Sequence, residues 1–405
     1  MNKIHSLESL DIRKIINILM IGYAFSVPIS KATTNFFEIA ILLLWLLDGN
    51  FLNKFKFYKY NYVIITLFVF IVYNLISLLW TQDIFFALKY IAKYRHFLLI
   101  PAFYIYFDKQ YTRHIISGFL AGMFISELVS YGLFFDLFTY KGKTSHNPAP
   151  FMDHISYSVF LAFTSIILLN RIFYTKNFKE QILYILFFTT VTINLFLNGG
   201  RTGQIIFIIL VTMLFFFNIK NKIKAFSITL GTLFIIFVST YNFSPNFINR
   251  LHQADTEIQK MIYKHDYSGS FSNRVALWII GIDQILDQKS LLGTGIGNDI
   301  SQMQYYAEKN HIDYESIKQG DHHNAFITYT IQLGFIGLII LLSLFYFIFK
   351  LNIKDRYYRH LNILLITGFF IWSFTGMTFH GMNPMTLFAF FTALFTAMSK
   401  EEKVA

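Results

Sequence analysis

Apolar runs of about 16 to 25 residues, separated by short polar stretches, recur along almost the whole chain. A run of that length lets a helix cross a hydrocarbon core of about 30 Å at about 1.5 Å per residue. The pattern predicts about twelve spans, over roughly 15–30, 36–49, 61–80, 91–107, 114–135, 154–173, 181–198, 203–218, 225–241, 325–349, 360–377 and 382–398. The fourth is the weakest: it contains Lys93, Arg95 and His96, and Pro101 predicts a kink. The eighth is short, which predicts a tilted or internally packed helix. The first follows Lys3, Arg13 and Lys14 as a secretion signal would, but its length, Pro28 and bulky neighbours predict that it is retained.

One stretch breaks this rhythm. From 242 to 324 the chain carries ten acidic residues against seven Lys or Arg. Residues 272–288, SNRVALWIIGIDQILDQ, repeat apolar positions at helical spacing, with Ser272 as the expected N-cap. Next comes LLGTGIGN, with Gly293, Gly295 and Gly297. No strand precedes these glycines and no Rossmann helix follows, so they predict a tight turn with close backbone approach rather than a dinucleotide site. The expected fold is an all-α polytopic membrane protein, one integral membrane domain over 1–405. A large helical loop, 242–324, lies between spans nine and ten.

Composition agrees with that pattern. Of 405 residues, 55% are hydrophobic and 14% charged, where soluble chains carry about 25% charged residues. The net charge of +11 raises the question of nucleic acid, but the basic residues are spread over short loops. They fall at Lys54, Lys56 and Lys59; Lys109 and Arg113; Arg171, Lys176 and Lys179; Lys220, Lys222 and Lys224; and Lys350, Lys354, Arg356 and Arg359, with Lys400 and Lys403 in the tail. Those are alternate loops, as the excess of positive charge on the cytoplasmic side requires. Both termini are then cytoplasmic, the 242–324 loop is extracytoplasmic, and nucleic acid is not an expected partner. Cysteine is absent, which excludes disulfides, a thiol nucleophile and cysteine metal sites.

The candidate chemistry gathers on the extracytoplasmic side. His323 and Asn324 stand where the loop meets the tenth span, and Gly334 and Gly337 follow within it. An imidazole at such a boundary is suited to proton transfer, although a lone histidine is most often structural; Asn324 is placed to orient it. Arg201, in NGGRTG, either snorkels to the interface or clamps a phosphate with its planar fork. Arg274, at the start of the loop helix, opposes the helix dipole unless an anion sits between them; its bland alternative is a salt bridge to Asp266. A metal site from His311, Asp321, His322 and His323 is disfavoured, because adjacent histidines in extended chain face opposite ways. Arg95, His96, His154 and His380 either line the same cavity or pack at interfaces.

Three segments resemble the O-antigen ligase and polymerase superfamily of bacterial inner-membrane proteins. HNAFITYTIQLGFIG at 323–337 is similar to the ligase pattern of His, then Asn, Ser or Gln, nine residues, and two spaced glycines. RVALWIIGIDQILDQKSLLGTGIGN at 274–298 and RTG at 201–203 look like two further family segments. His322 departs from the pattern. The resemblance implies a membrane glycosyltransferase architecture and a glycosyl transfer at the periplasmic face, with no metal or other cofactor. The implied partners are an undecaprenyl-diphosphate-linked glycan, a lipid A core acceptor and membrane lipid. In these terms His323 is the general base, while Arg201, Arg274 and Asn324 bind substrate. A lipid-linked repeat polymerase and a protein O-oligosaccharyltransferase differ only in the acceptor. A transporter of lipid-linked sugars is the non-enzymatic alternative, and would place charges along a transmembrane path.

Overall fold

A computed structural model describes residues 2–243, 245–317 and 321–400; Lys403 lies outside the described residues. Among them the chain is helical, with no β-strand. The first helices are α1 (Asn2–Ser26), α2 (Lys31–Leu47), α3 (Phe51–Tyr58), α4 (Tyr62–Ile76), α5 (Ile84–Lys93) and α6 (Leu99–Tyr106). Then come α7 (Thr112–Phe134), α8 (His154–Tyr174), α9 (Phe178–Leu197), α10 (Arg201–Asn218) and α11 (Lys222–Phe243). The polar stretch forms α12 (Pro245–Lys264), α13 (Ser270–Gln288), α14 (Met303–Lys309) and α15 (Tyr314–Ile317). The chain closes with α16 (Ala325–Phe349), α17 (Arg356–Thr375) and α18 (Met382–Met398).

Among the described residues, seven helices are long and apolar enough to cross a membrane, and eight if α2 and α3, bent by 111°, form one broken span. The remaining four of the expected stretches are helical but fall short of that test. α1 starts in polar sequence, and α17 opens on Arg356, Arg359 and His360. α18 has 17 residues and is buried on every side from Asn383 to Ala397, so it is a core helix of the bundle. The fourth stretch is broken into α5, a 3-10 turn over Tyr94–Leu98, and α6. The break falls at the charged residues rather than at Pro101, which lies in the first turn of α6, where no backbone N–H is needed.

Arg95 and His96 in that turn belong to a buried carboxylate. His96 Nδ1 lies 2.6 Å from Glu38 Oε2 on α2, and Arg95 Nε lies 3.6 Å from Glu38 Oε1. Glu38 is fully buried. An acid within an apolar helix needs such partners.

Hydrogen bonds sort the connections into two ends of the bundle. At one end Arg13 donates to the Phe107 carbonyl, the Tyr106 hydroxyl to Asp48, Arg113 to Glu180, Asn170 to the Tyr357 carbonyl, and Arg356 to the Phe217 carbonyl. At the other, Thr81 donates to the Ile296 carbonyl and Asn198 to the His154 carbonyl, while the Thr202 and Thr375 hydroxyls meet. The polar stretch sits at this second end. There Ala276, Leu277 and Ile280 of α13 bury against Met303, Tyr306, Ala307, Ile312 and Ile317 in a small core of their own. The described residues of the 242–324 segment are therefore folded.

Candidate functional site

The site is built on the start of α16. Asn324 caps this helix with extended backbone, its Oδ1 accepting the amides of Phe326 and Ile327 at 3.0 and 3.1 Å. That oxygen is committed to the helix N-terminus, where asparagine is among the best caps. One residue earlier His323 adopts a left-handed backbone, φ 47°. Its own amide donates to Asp321 Oδ1 at 2.6 Å, and its Nδ1 lies 3.4 Å from the same oxygen. The His323 side chain is about one-third exposed (32%).

His322 turns the opposite way. It is fully buried against Gly281 of α13, with Nδ1 3.5 Å from Asp299 Oδ2. Asp299, also fully buried, accepts Gln332 Nε2 from α16 at 2.6 Å. Of the two histidines, His323 is the one that meets the exterior.

Two arginines approach from other helices. Arg274 stands one turn inside α13, which begins at Ser270 with Gly269 as its N-cap. Ser272 is not the cap. It lies at the third helical position, where its hydroxyl accepts the Gly269 amide at 3.1 Å and offers no such service to a later residue. The charges around Arg274 are Arg201, Asp321 and Glu257, not Asp266, which is held by the Ser268 amide. Burial, and then the like charge of Arg201, lower the Arg274 pKa. Arg201 opens α10. Gly203 lets that helix lie against α8, its amide donating to Ser158 Oγ at 3.1 Å. Thus Arg201, Arg274, Asp321 and His323, from three separate parts of the chain, share one electrostatic neighbourhood.

The glycine loop explains how this neighbourhood is held. α16 is interrupted at Gly334, with φ 66° and ψ −168°. The carbonyls of Ile331 and Gln332 receive the amides of Thr294 and Gly295, at 2.8 and 2.9 Å. The Leu333 carbonyl accepts the Tyr73 hydroxyl at 3.1 Å. Beyond the break, the amides of Phe335 and Ile336 donate to the carbonyls of Ser290 and Leu291. The loop satisfies backbone groups that a broken helix would otherwise leave bare in an apolar environment. Gly293 and Gly334 pack backbone to backbone, which only residues without Cβ allow. Gly334→Ala would force a side chain into a glycine-only conformation and against Leu291, destabilising the protein by about 1–3 kcal/mol or more. Thermal unfolding in detergent should show a lowered Tm; an unchanged Tm would contradict this account of the break.

Further residues border the site. His380 Nε2 lies 3.2 Å from the Tyr329 hydroxyl, which meets the Tyr94 hydroxyl at 3.1 Å. Tyr90 of α5 packs edge-on to His380 and lies within electrostatic reach of Asp299 and Asp321. Lys93 lies over the Tyr90 ring, and its charge acts on His380. Tyr90 and Asp299 were not singled out in the sequence. Their only signals were an aromatic residue among many and one acid in a loop with ten.

Burial lowers the His323 pKa below its ordinary 6.5; Asp321 pulls it up, while Arg274 and His322 push it down. The imidazole is therefore neutral and able to accept a proton at neutral pH. Fold and site together define a polytopic membrane protein with His323, Arg201 and Arg274 at one end of its helix bundle. Residues 183–342 match the O-antigen ligase family. The matched stretch, less than half of the chain, holds Arg201, Arg274, the glycine loop, His323, Gly334 and Gly337. No curated protein matches the chain.

Proposed function

We propose that the protein is an O-antigen ligase-like glycosyltransferase that moves a glycan from undecaprenyl diphosphate to a sugar of the lipid A core. The observation that carries this reading is the shared electrostatic neighbourhood of His323, Asp321, Arg274 and Arg201. In this reading the chain is one integral domain of glycosyltransferase architecture. It crosses the bacterial inner membrane twelve times with both termini cytoplasmic, and its site faces the periplasm. The basic loops support that orientation, since they gather at the end opposite His323.

The chemistry follows from the charges. The acceptor hydroxyl oxygen attacks the anomeric carbon from the face opposite the diphosphate. Its proton passes to Nε2 of His323, whose Nδ1 faces Asp321. The carbon–oxygen bond to the diphosphate breaks, the electron pair leaves with that oxygen, and the anomeric centre inverts. Arg201 and Arg274 stabilise the growing negative charge, so the reaction as read here calls on no metal ion. Asn324 acts by fixing the start of α16 beneath the base. A repeat polymerase or protein O-oligosaccharyltransferase would use the same residues with another acceptor. The grouping of charges at one end favours transfer over a transport path.

The protonation state gives a test. The acid limb of kcat/KM should have its midpoint below about 6.5, because the active form is the neutral imidazole. Asp321→Asn removes the charge that favours protonation, so the limb should move to lower pH. A shift to higher pH would contradict the assignment of His323 as base.

A further inference from the structure

α13 has two apolar faces. One is buried: Ala276, Leu277 and Ile280 pack into the small core with α14, and Gly281 lies against Ile327 of α16. The other is bare. At about 3.6 residues per turn, Phe271, Val275, Trp278, Ile279, Ile282 and Leu286 share one stripe with no polar member. Ile282 is 49% exposed and Leu286 59%. The acids of the helix lie to one side, where Lys309 of α14 meets Asp283 and Asp287 at 3.1 and 2.6 Å. A helix apolar on both faces belongs in a protein core or a membrane, and a bare stripe of this size marks a docking surface.

The stripe continues onto the membrane face of the bundle. Leu291 and Leu292 follow the helix, 65% and 50% exposed. The carbonyls of Ser290 and Leu291 accept the amides of Phe335 and Ile336, so this end of α13 lies against the middle of α16. α16 is long and apolar enough to cross the membrane, and its Phe335, Ile336 and Ile339 are exposed there. Since Gly281 meets Ile327 and Leu291 meets Ile336, the second half of α13 descends beside the first half of α16 in the same direction. Tyr73 and Trp80 stand close to this level, Tyr73 donating to the Leu333 carbonyl, and such residues mark the membrane–water boundary. A lysine such as Lys289, at the C-cap of α13, keeps its stem among acyl chains and its ammonium at the headgroups.

We infer that the bare face of α13, with Leu291 and Leu292, docks into the lipid bilayer, among the acyl chains of the leaflet at the His323 end of the bundle. Helices of this kind bury their apolar face about 5–10 Å into that boundary. A protein partner would be framed by a polar rim, whereas this stripe runs on to the lipid-facing side of α16. The bilayer then sets the height of Arg274, which α13 carries. The surface follows from the membrane fold and needs no particular reaction.

The chain has no cysteine, so single cysteines report cleanly. Full-length Ile282→Cys, Leu286→Cys and Leu292→Cys would each carry an environment-sensitive fluorophore in nanodiscs. Ile339→Cys, exposed on α16, is the lipid reference, and Tyr305→Cys, 62% exposed on α14, the aqueous one. Lipids with a nitroxide on the acyl chain should quench the three labels as they quench Ile339→Cys, and aqueous iodide should leave them bright. Tyr305→Cys should show the reverse. Variants whose Tm falls are replaced by Phe271→Cys or Ile279→Cys, which lie on the same stripe. Labels at 282 and 286 that behave as Tyr305→Cys does would overturn the inference. Shielding from both quenchers would overturn it in favour of a protein partner, and dipolar broadening between spin labels at 286 would make that partner a second copy.

Discussion

Replacing His323 with alanine should lower turnover about 10²–10⁴-fold, the usual contribution of a positioned general base. Donor binding should survive, because the diphosphate is assigned to the arginines. Asn324 caps α16 through its own side chain, and His322 is buried against Gly281 of α13. Removing the outward imidazole therefore leaves the supports of the turn in place. Single-turnover measurements with saturating donor would show the fall in the chemical step. A variant that transfers glycan at the wild-type rate would exclude His323 as base.

Removing the arginine charge should be nearly as damaging. Arg274→Ala and Arg201→Ala should each reduce kcat about 10²–10³-fold, the scale set by losing one preorganised donor to a developing anion. The effect should fall on kcat as well as on donor affinity, since charge grows on the leaving diphosphate in the transition state. Arg274→Lys should recover only part, because an ammonium keeps the charge and loses the two-pronged geometry. Arg201 and Arg274 repel one another, and the like charge is felt at Arg274. A shared dianion relieves that repulsion, so the two substitutions should not be additive. Full additivity, with lysine as good as arginine, would argue against a joint clamp.

The candidate site residues were legible because they break an apolar pattern. Arg201, Arg274 and His323 are polar groups at or near the edges of apolar runs, where desolvation is costly without a reason. The glycine string was legible for a similar reason, as backbone that needs left-handed geometry or close contact. Packing was not legible. That Gly334 breaks α16 and receives the 290–295 loop depends on two segments some forty residues apart meeting in space. The α12 helix was missed because its apolar positions, such as Phe247, Leu251, Ile258 and Ile262, are diluted by polar neighbours in a stretch read as loop. Glu257 reaches the Phe271 amide only because α13 lies against that helix. The start of α13 at Ser270 rather than Ser272 reflects the Ser272 hydroxyl, which reaches back to the amide and carbonyl of Gly269.

Glycan transfer by the purified, reconstituted protein tests the central claim most directly. Wild type and His323→Ala would be given the lipid-diphosphate glycan with lipid A core or with a second lipid-linked glycan, EDTA being present throughout. The account predicts product on the core with wild type and its loss with the variant. Longer glycan still on the carrier lipid would reassign the acceptor and identify a polymerase. No glycosidic bond with any acceptor, from protein that inserts and binds donor normally, would contradict the assignment as a glycosyltransferase.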